Sequence, residues 1–210
     1  MAEASAAAEP AASMAAPRLL PLGDCAWVLE YGSRVDDALN ARVMGLAAAL
    51  AAARAQGDAT LAGITDVVPT FRSLAVHFDP LAADALPLGA RLLALAAGAG
   101  QQQLQGRLWR LPVCFDAAWA PDMDRVCQAR GLAPQQVVDL LCGAMFRVHM
   151  IGFLPGFAYL GGLPAALAMP RLPAPRQKVP PQSLAVAGTM CGVYPWESPG
   201  GWNLLGRTPV

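Results

Sequence analysis

The side chains best suited to chemistry cluster in the second half of the chain, and most are cationic: Arg171, Arg176, Lys178 and Arg207. A guanidinium presents a planar fork of donors that grips a carboxylate or phosphate through two parallel hydrogen bonds. Arg171 and Arg176 lie in Pro-Arg-Leu-Pro-Ala-Pro-Arg, where the prolines stiffen the segment. Stiffness limits the entropy lost when a basic arm meets an acidic ligand or partner. Arg207, between Gly206 and Thr208-Pro209, either grips such a ligand or pins the chain end through an ion pair. The pairs Gly161-Gly162 and Gly200-Gly201 suit either consecutive amides in an anion-binding nest or simple tight turns. Neither a P-loop nor a Gly-x-Gly-x-x-Gly fingerprint opening a helix is present, so any nucleotide contact needs another arrangement.

Acid–base candidates are few. His149 lies between Val148 and Met150 in a predicted strand, so its side chain points to the face opposite theirs. Its near-neutral titration suits a general base, and a hydrogen-bonded structural role suits the same position. His77 occupies a similar strand in the first half. Glu197 is the only carboxylate between Phe146 and Val210, which argues against paired-carboxylate catalysis and a complete magnesium site there. Ser198 precedes proline without a Gly-x-Ser-x-Gly elbow, and Ser183 falls in a strand. Tyr159, Tyr194, Trp196 and Trp202 suit stacking on a ligand ring, and equally core packing or an interface with another polypeptide. If the chain serves an enzyme, other polypeptides supply much of the catalytic set.

The elements that must position these residues are punctuated by glycine and proline. Clusters at 152–157, 160–164, 179–181 and 198–202 specify turns, with strand-like runs at Ser183–Ala187 and Gly192–Tyr194 between them. Short strands with rigid turns predict a β-barrel or sandwich whose loops carry function. Upstream, Arg18–Gly23 and Cys25–Tyr31 read as a hairpin. Asp36-Asp37 starts a helix with Leu39, Val43, Leu46 and Leu50 at helical spacing, ending before Gly57. Strands at 64–69 and 73–78 follow, then a helix from Leu81 to Ala97 with Leu86, Leu92, Leu93 and Leu95 as core contacts. The order β-β-α-β-β-α makes residues 18–98 a small α/β domain. Gly98 to Gln105 reads as a linker. Residues 106–210 form the second domain, with a strand at 108–115, helices starting near Pro121 and at Pro134, and a strand from Phe146 to Phe153.

Composition sets bounds. The 210 residues carry 15 Lys+Arg and 15 Asp+Glu, a balance that gives no electrostatic reason to expect nucleic acid or an anionic membrane. Residues 1–17 are Ala-rich, carry Glu3 and Glu9, and read as a disordered tail rather than a targeting signal. The Ala-rich run 46–53, flanked by Arg42 and Arg54, is too short to span a bilayer. Five cysteines without a Cys-x-x-Cys pair, and only two histidines, predict reduced, mostly buried thiols in a cytoplasm and no zinc cluster.

Several runs, in one order and spacing, carry a family resemblance: Gly152-Phe-Leu-Pro-Gly-Phe-Ala-Tyr-Leu-Gly-Gly-Leu163, Pro175-Arg176 with Val179-Pro180, Gly192-Val-Tyr-Pro195, and Ser198-Pro-Gly-Gly-Trp202 with Gly206-Arg-Thr-Pro209. The chain resembles the B component of bacterial ATP-dependent 5-oxoprolinase, a family also known as the first component of allophanate hydrolase or as carboxyltransferase subdomain C/D, and one that includes a sporulation histidine-kinase inhibitor. The resemblance implies an α+β fold: a small N-terminal α/β domain followed by a cyclophilin-like β-barrel. It implies action with the C and A components of 5-oxoprolinase to open 5-oxo-L-proline to L-glutamate with ATP, magnesium being held outside this chain. Residue chemistry and the resemblance together set the expected substrate- or nucleotide-binding residues as Gly156, Tyr159, Gly161, Gly162, Arg176, Gly200, Gly201, Trp202 and Arg207, and residue type alone makes His149 the candidate catalytic group. Alternatives are a carboxyltransferase component of urea or allophanate metabolism, with biotin arriving on another chain, and a non-catalytic kinase inhibitor.

Two departures stand out. Pro181-Gln182 replaces the usual Ala-Gly, and Met190-Cys191 replaces Gln-Thr, which removes an amide and a hydroxyl suited to ligand contact. The resemblance also implies a further strand or two beyond Pro209, without which the barrel has an open edge.

Overall fold

Asp36 starts the first helix as its residue type predicts: its carboxylate accepts hydrogen bonds from the amides of Ala38 (2.8 Å) and Leu39 (3.1 Å). In the computed structural model, which describes residues 16–102 and 106–209, helix α1 (Asp37–Ala55) buries Val43, Leu46 and Leu50. They pack against a sheet of β1 (Arg18–Pro21), β2 (Ala26–Glu30), β3 (Ile64–Pro69) and β4 (Ser73–Phe78), antiparallel throughout in the order β1-β2-β4-β3. β4 alternates half-buried with buried residues, and its buried Leu74, Val76 and Phe78 join the core beneath α1.

Helix α2 (Ala85–Gly98) begins four residues later than the sequence suggests, where Asp84 caps Leu86. That start sets which side chains face inward. Leu88, Leu92 and Ala96 are buried, with Leu95 packed at the edge, whereas Leu86 is 77 % exposed and Leu93 lies at the surface. The expected core role of Leu86 and Leu93 is thus corrected: the i, i+4 row through 88, 92 and 96 is the one that meets the sheet. Past the helix, the amide of Gln102 donates to Ala41 O on α1 (3.0 Å), and a β-carbon at Gly45 would collide with Gly100 O. The first part of the expected linker therefore docks on α1. Most of the expected tail and the rest of the linker, at 103–105, lie outside the described residues.

In the second half, α3 (Met123–Arg130) stops at Gly131, which adopts the left-handed φ of 65° that glycine tolerates, and α4 (Pro134–Gly143) starts at its proline as predicted. The expected strand at 108–115 is absent. Residues 108–111 run exposed, and pairing is limited to a bridge between Cys114 and Arg207. A five-stranded antiparallel sheet runs in the order β11-β8-β9-β6-β5, formed by β5 (Arg147–Ile151), β6 (Ala158–Gly161), β8 (Ser183–Ala187), β9 (Met190–Val193) and β11 (Asn203–Arg207). A separate pair joins β7 (Arg176–Val179) to β10 (Ser198–Gly200).

β8 is buried along its whole length because both faces are covered. Leu184 and Val186 meet α3 and α4 in one core, while Ala185 and Ala187 meet Val179, Phe157, Tyr194 and Trp202 in another. Each such apolar side chain contributes about 1.5–3 kcal/mol when large and fully buried. Among the described residues these sheets do not close into a barrel: β11 and β5 end the five-stranded order. The tip of β11 is nonetheless covered, since Cys114 and Arg207 exchange both backbone hydrogen bonds (2.8 and 2.9 Å). The mixed α+β character expected from the sequence holds.

Candidate functional site

The bridge to Cys114 fixes where β11 delivers the side chain of Arg207. Its guanidinium lies 4.7 Å from the ring centroid of Trp119, in the loop ahead of α3. Stacking uses the flat face of the cation and leaves its N–H edge free to donate. Together with Arg176 and Lys178 of β7, and with Ser183, Leu204, Ala118, Pro121 and Pro180, Arg207 and Trp119 line a cavity of about 170 Å³. The lining contains three cations and no carboxylate.

Arg176 is anchored from behind. One terminal nitrogen donates to Oδ1 of Asp122 (2.8 Å), while the other, Nη1, is buried without a hydrogen-bond partner. Asp122 is itself 5 % exposed, and its Oδ2 accepts from the amide of Leu204 (2.7 Å). A charge that deep needs such a fully hydrogen-bonded setting. Lys178 stands at the mouth, 78 % exposed, with Glu197 at 3.2 Å. The hydroxyl of Ser183 donates to Pro180 O (2.8 Å) and so holds the loop that frames the cavity.

The structure therefore brings together Arg176 and Arg207, along with Lys178, and it distributes the other expected site residues elsewhere. Gly161 sits in β6, where a β-carbon would lie 2.2 Å from Cε1 of His149. Gly162, at φ 89°, lies against Met145 O. His149 is a buried joint between the two halves: its side chain is 2 % exposed, Nε2 meets Oδ1 of Asp37 at 2.7 Å, and its carbonyl accepts from Asn40 Nδ2 (3.2 Å). The face it occupies, opposite exposed Val148, is the one strand alternation predicts. Gly200 pairs with Arg176 across the β7–β10 ladder and packs against the Tyr194 hydroxyl, and Gly201 lies beside Pro175 and Arg171. Gly156 forms the turn before β6, against Pro195. Trp202 and Tyr159 belong to an aromatic cluster centred on Phe157, with ring centroids 4.9–5.8 Å apart and steeply crossed. Burial of Tyr194 in the same cluster pushes its phenol above the ordinary range. Trp196 is exposed.

One member of the cleft, Trp119, and the anchor behind it, Asp122, escaped the sequence. Trp119 sits in a loop with no periodic signal, and Asp122 reads as an ordinary first-turn helix charge. It makes no side-chain cap, and its carboxylate is turned to Arg176 instead. The thiols also need correction: Cys191 alone is buried, Cys25 and Cys142 are exposed, and Cys114 and Cys127 are intermediate. Burial pushes the Cys191 thiol to about 12, so at neutral pH it is a protonated core group. Its departure from the usual threonine therefore falls in an apolar core and not on the cleft. Among the described residues, no group of three or more His, Cys, Asp or Glu side chains could hold a metal ion, and no helix is long and apolar enough to cross a membrane.

Comparison with known proteins agrees with these motifs. The family model described as carboxyltransferase domain, subdomain C and D, matches residues 17–210. The chain belongs to this family. It is 32 % identical over 203 residues to the B component of 5-oxoprolinase from Bacillus subtilis, covering 90 % of this chain and 81 % of that one. With the B component from Escherichia coli O157:H7 it shares 33 % over 192 residues, covering 90 % and 83 %. With that from Haemophilus influenzae it shares 37 % over 145 residues, covering 69 % and 68 %. Among solved structures, TTHA0988 superposes with a TM-score of 0.71 at 37 % identity, covering 88 % of this chain and 35 % of that longer one. Kluyveromyces lactis urea carboxylase superposes at 0.75 with 20 % identity, covering 90 % of this chain and 19 % of that one, a likeness of fold alone.

Proposed function

We propose that this chain is the B component of an ATP-dependent 5-oxoprolinase that opens 5-oxo-L-proline to L-glutamate, and that it turns over no substrate alone. The observation that carries this reading is its likeness to three such B components, two of them over 90 % of its length. The chain's own inventory supports dependence on partners: its buried histidine faces a structural carboxylate, and its cationic cleft has no general base in the lining. The expected partners are the C and A components of the same enzyme, in the cytoplasm. A lactam is a poor electrophile; transfer of the ATP γ-phosphoryl group to its amide oxygen gives an intermediate to which one water adds, the C–N bond breaks to leave a glutamyl phosphate, and a second water hydrolyses that to L-glutamate and phosphate.

For residues 106–210 we propose the cyclophilin-like barrel architecture of the resemblance. The support is the packing of β7 across β8 through the shared aromatic core.

Complementation tests the function. Bacteria lacking their own B component, but retaining A and C, are expected to regain consumption of 5-oxoproline when this chain is expressed. Failure with the chain soluble and bound to the C component would refute the reading.

A further inference from the structure

We propose that the cleft formed by Trp119, Arg176, Lys178 and Arg207 is a binding site for one compact oxyanion: the carboxylate or phosphoryl end of a small ligand. The cleft exists in this chain by itself, and only the choice of ligand to try rests on the 5-oxoprolinase reading.

Three observations converge. The first is charge: three cations line the cavity with no acidic side chain among them, and while Asp122 pairs Arg176 from behind and Glu197 meets Lys178 at the mouth, Arg207 has no carboxylate partner among the described residues. The second is the state of the donors. Arg176 is held by Asp122 through one nitrogen, and its buried Nη1 lacks a partner. Nη1 has no surface open to solvent, so what Arg176 presents to a ligand is the remaining part of its side chain, which is 29 % exposed. Arg207 is held by its backbone bridge and by the face of Trp119, which leaves its N–H edge unused. Both guanidinium groups are thus fixed in place before a ligand arrives, and little entropy remains to be lost on binding. The third is size. At about 170 Å³ the cavity falls below the roughly 300–1,000 Å³ of sites that enclose drug-sized molecules. Its enclosed part is of a size for an anionic group or a small ring acid.

Roles follow from position. Arg207 and Arg176 donate directly, and Lys178 at the exposed mouth raises the local anion concentration as a salt-sensitive charge. The glycine pairs take no part, since Gly161 and Gly200 face His149 and Tyr194.

The test is calorimetric titration of the purified full chain, at low salt, with sodium phosphate, with 5-oxo-L-proline, and with 2-pyrrolidinone, the same lactam ring without its carboxylate. Saturable binding of phosphate alone assigns the site to a phosphoryl group, and binding of 5-oxo-L-proline but not 2-pyrrolidinone assigns it to a carboxylate. Either result supports the site. Arg207→Ala is expected to weaken binding by about tenfold or more, the loss of a charge-assisted contact, and Lys178→Ala to weaken it less, with a shallower salt dependence. If Arg207→Ala fails to fold, Arg207→Gln and the exposed Lys178→Ala carry the comparison. Absence of binding by both anions, or affinity unchanged in every variant, overturns the proposal. Because the titration uses no partner and no turnover, it can succeed where the 5-oxoprolinase reading fails, and the reverse.

Discussion

Nε2 of His149 lies 2.7 Å from Oδ1 of Asp37, a residue 112 positions earlier, and this contact ties the first turn of α1 to the edge strand β5. Asn40, one turn along α1, reinforces the joint by donating to both Thr70 O (3.1 Å) and His149 O (3.2 Å). The two partners contribute unequally. The ring is buried while the carboxylate is 69 % exposed, so packing around the ring outweighs its contact with the carboxylate. His149→Ala is expected to lower unfolding stability by about 2–4 kcal/mol through the cavity it leaves, and Asp37→Asn by less than about 1 kcal/mol. Urea denaturation of the two variants checks this, and equal losses would contradict it.

The Arg176–Asp122 pair lies behind the cleft. Asp122→Ala strands a half-buried guanidinium and the amide of Leu204. A loss of about 2–4 kcal/mol is expected, less than for a wholly buried pair because the Arg176 side chain is 29 % exposed. A thermal melt within experimental error of the parent protein would contradict it.

Gln182 sits at φ 67°, a left-handed conformation that disfavours side chains bearing a β-carbon. The resemblance puts glycine at this position. Gln182→Gly is expected to raise stability by about 1 kcal/mol, read as a higher urea midpoint with an unchanged slope. A lower midpoint would show that the glutamine makes compensating contacts.

Acid sensitivity has a definite sign. A hydrogen bond from Arg91 holds the Asp58 carboxyl below the usual range, and one from Arg18 does the same for Glu30. Depressed carboxyl values add stability above the unfolded-state value, and that stability is lost as pH falls through the folded value. The stability difference between the parent protein and Arg91→Ala should therefore be present at pH 7 and close as the pH drops below about 4. Both sites are at the surface, so the difference is small and shrinks with salt. A gap that persists at pH 2 would contradict the assignment.

Much of this fold is legible in the sequence wherever one face is apolar and the other wet. The spacing of Val43, Leu46 and Leu50 marks α1, Pro134 marks α4, and alternation marks β4 and the side on which His149 is buried. Legibility fails where local chemistry and tertiary pairing disagree. β7 and β10 are short and rich in, or flanked by, proline, a composition that reads as turn. They survive as a two-stranded pair whose Pro199 is exposed. Residues 108–111 have strand composition but run exposed and pair with no strand among the described residues. In the cleft, Arg176 and Arg207 were legible by residue type and by motif. Trp119 and Asp122 were not, because their meaning depends on contacts such as the Arg176–Asp122 pair, 54 residues apart.

Coupled turnover decides whether this chain serves as the B component of 5-oxoprolinase. Purified A and C components are mixed with ATP and 5-oxo-L-proline, with and without this chain, and glutamate and phosphate release are followed together. Both products are expected, in equal amounts, only when all three polypeptides are present. Turnover at the same rate without this chain, or none in a verified three-component complex, would rule out that role.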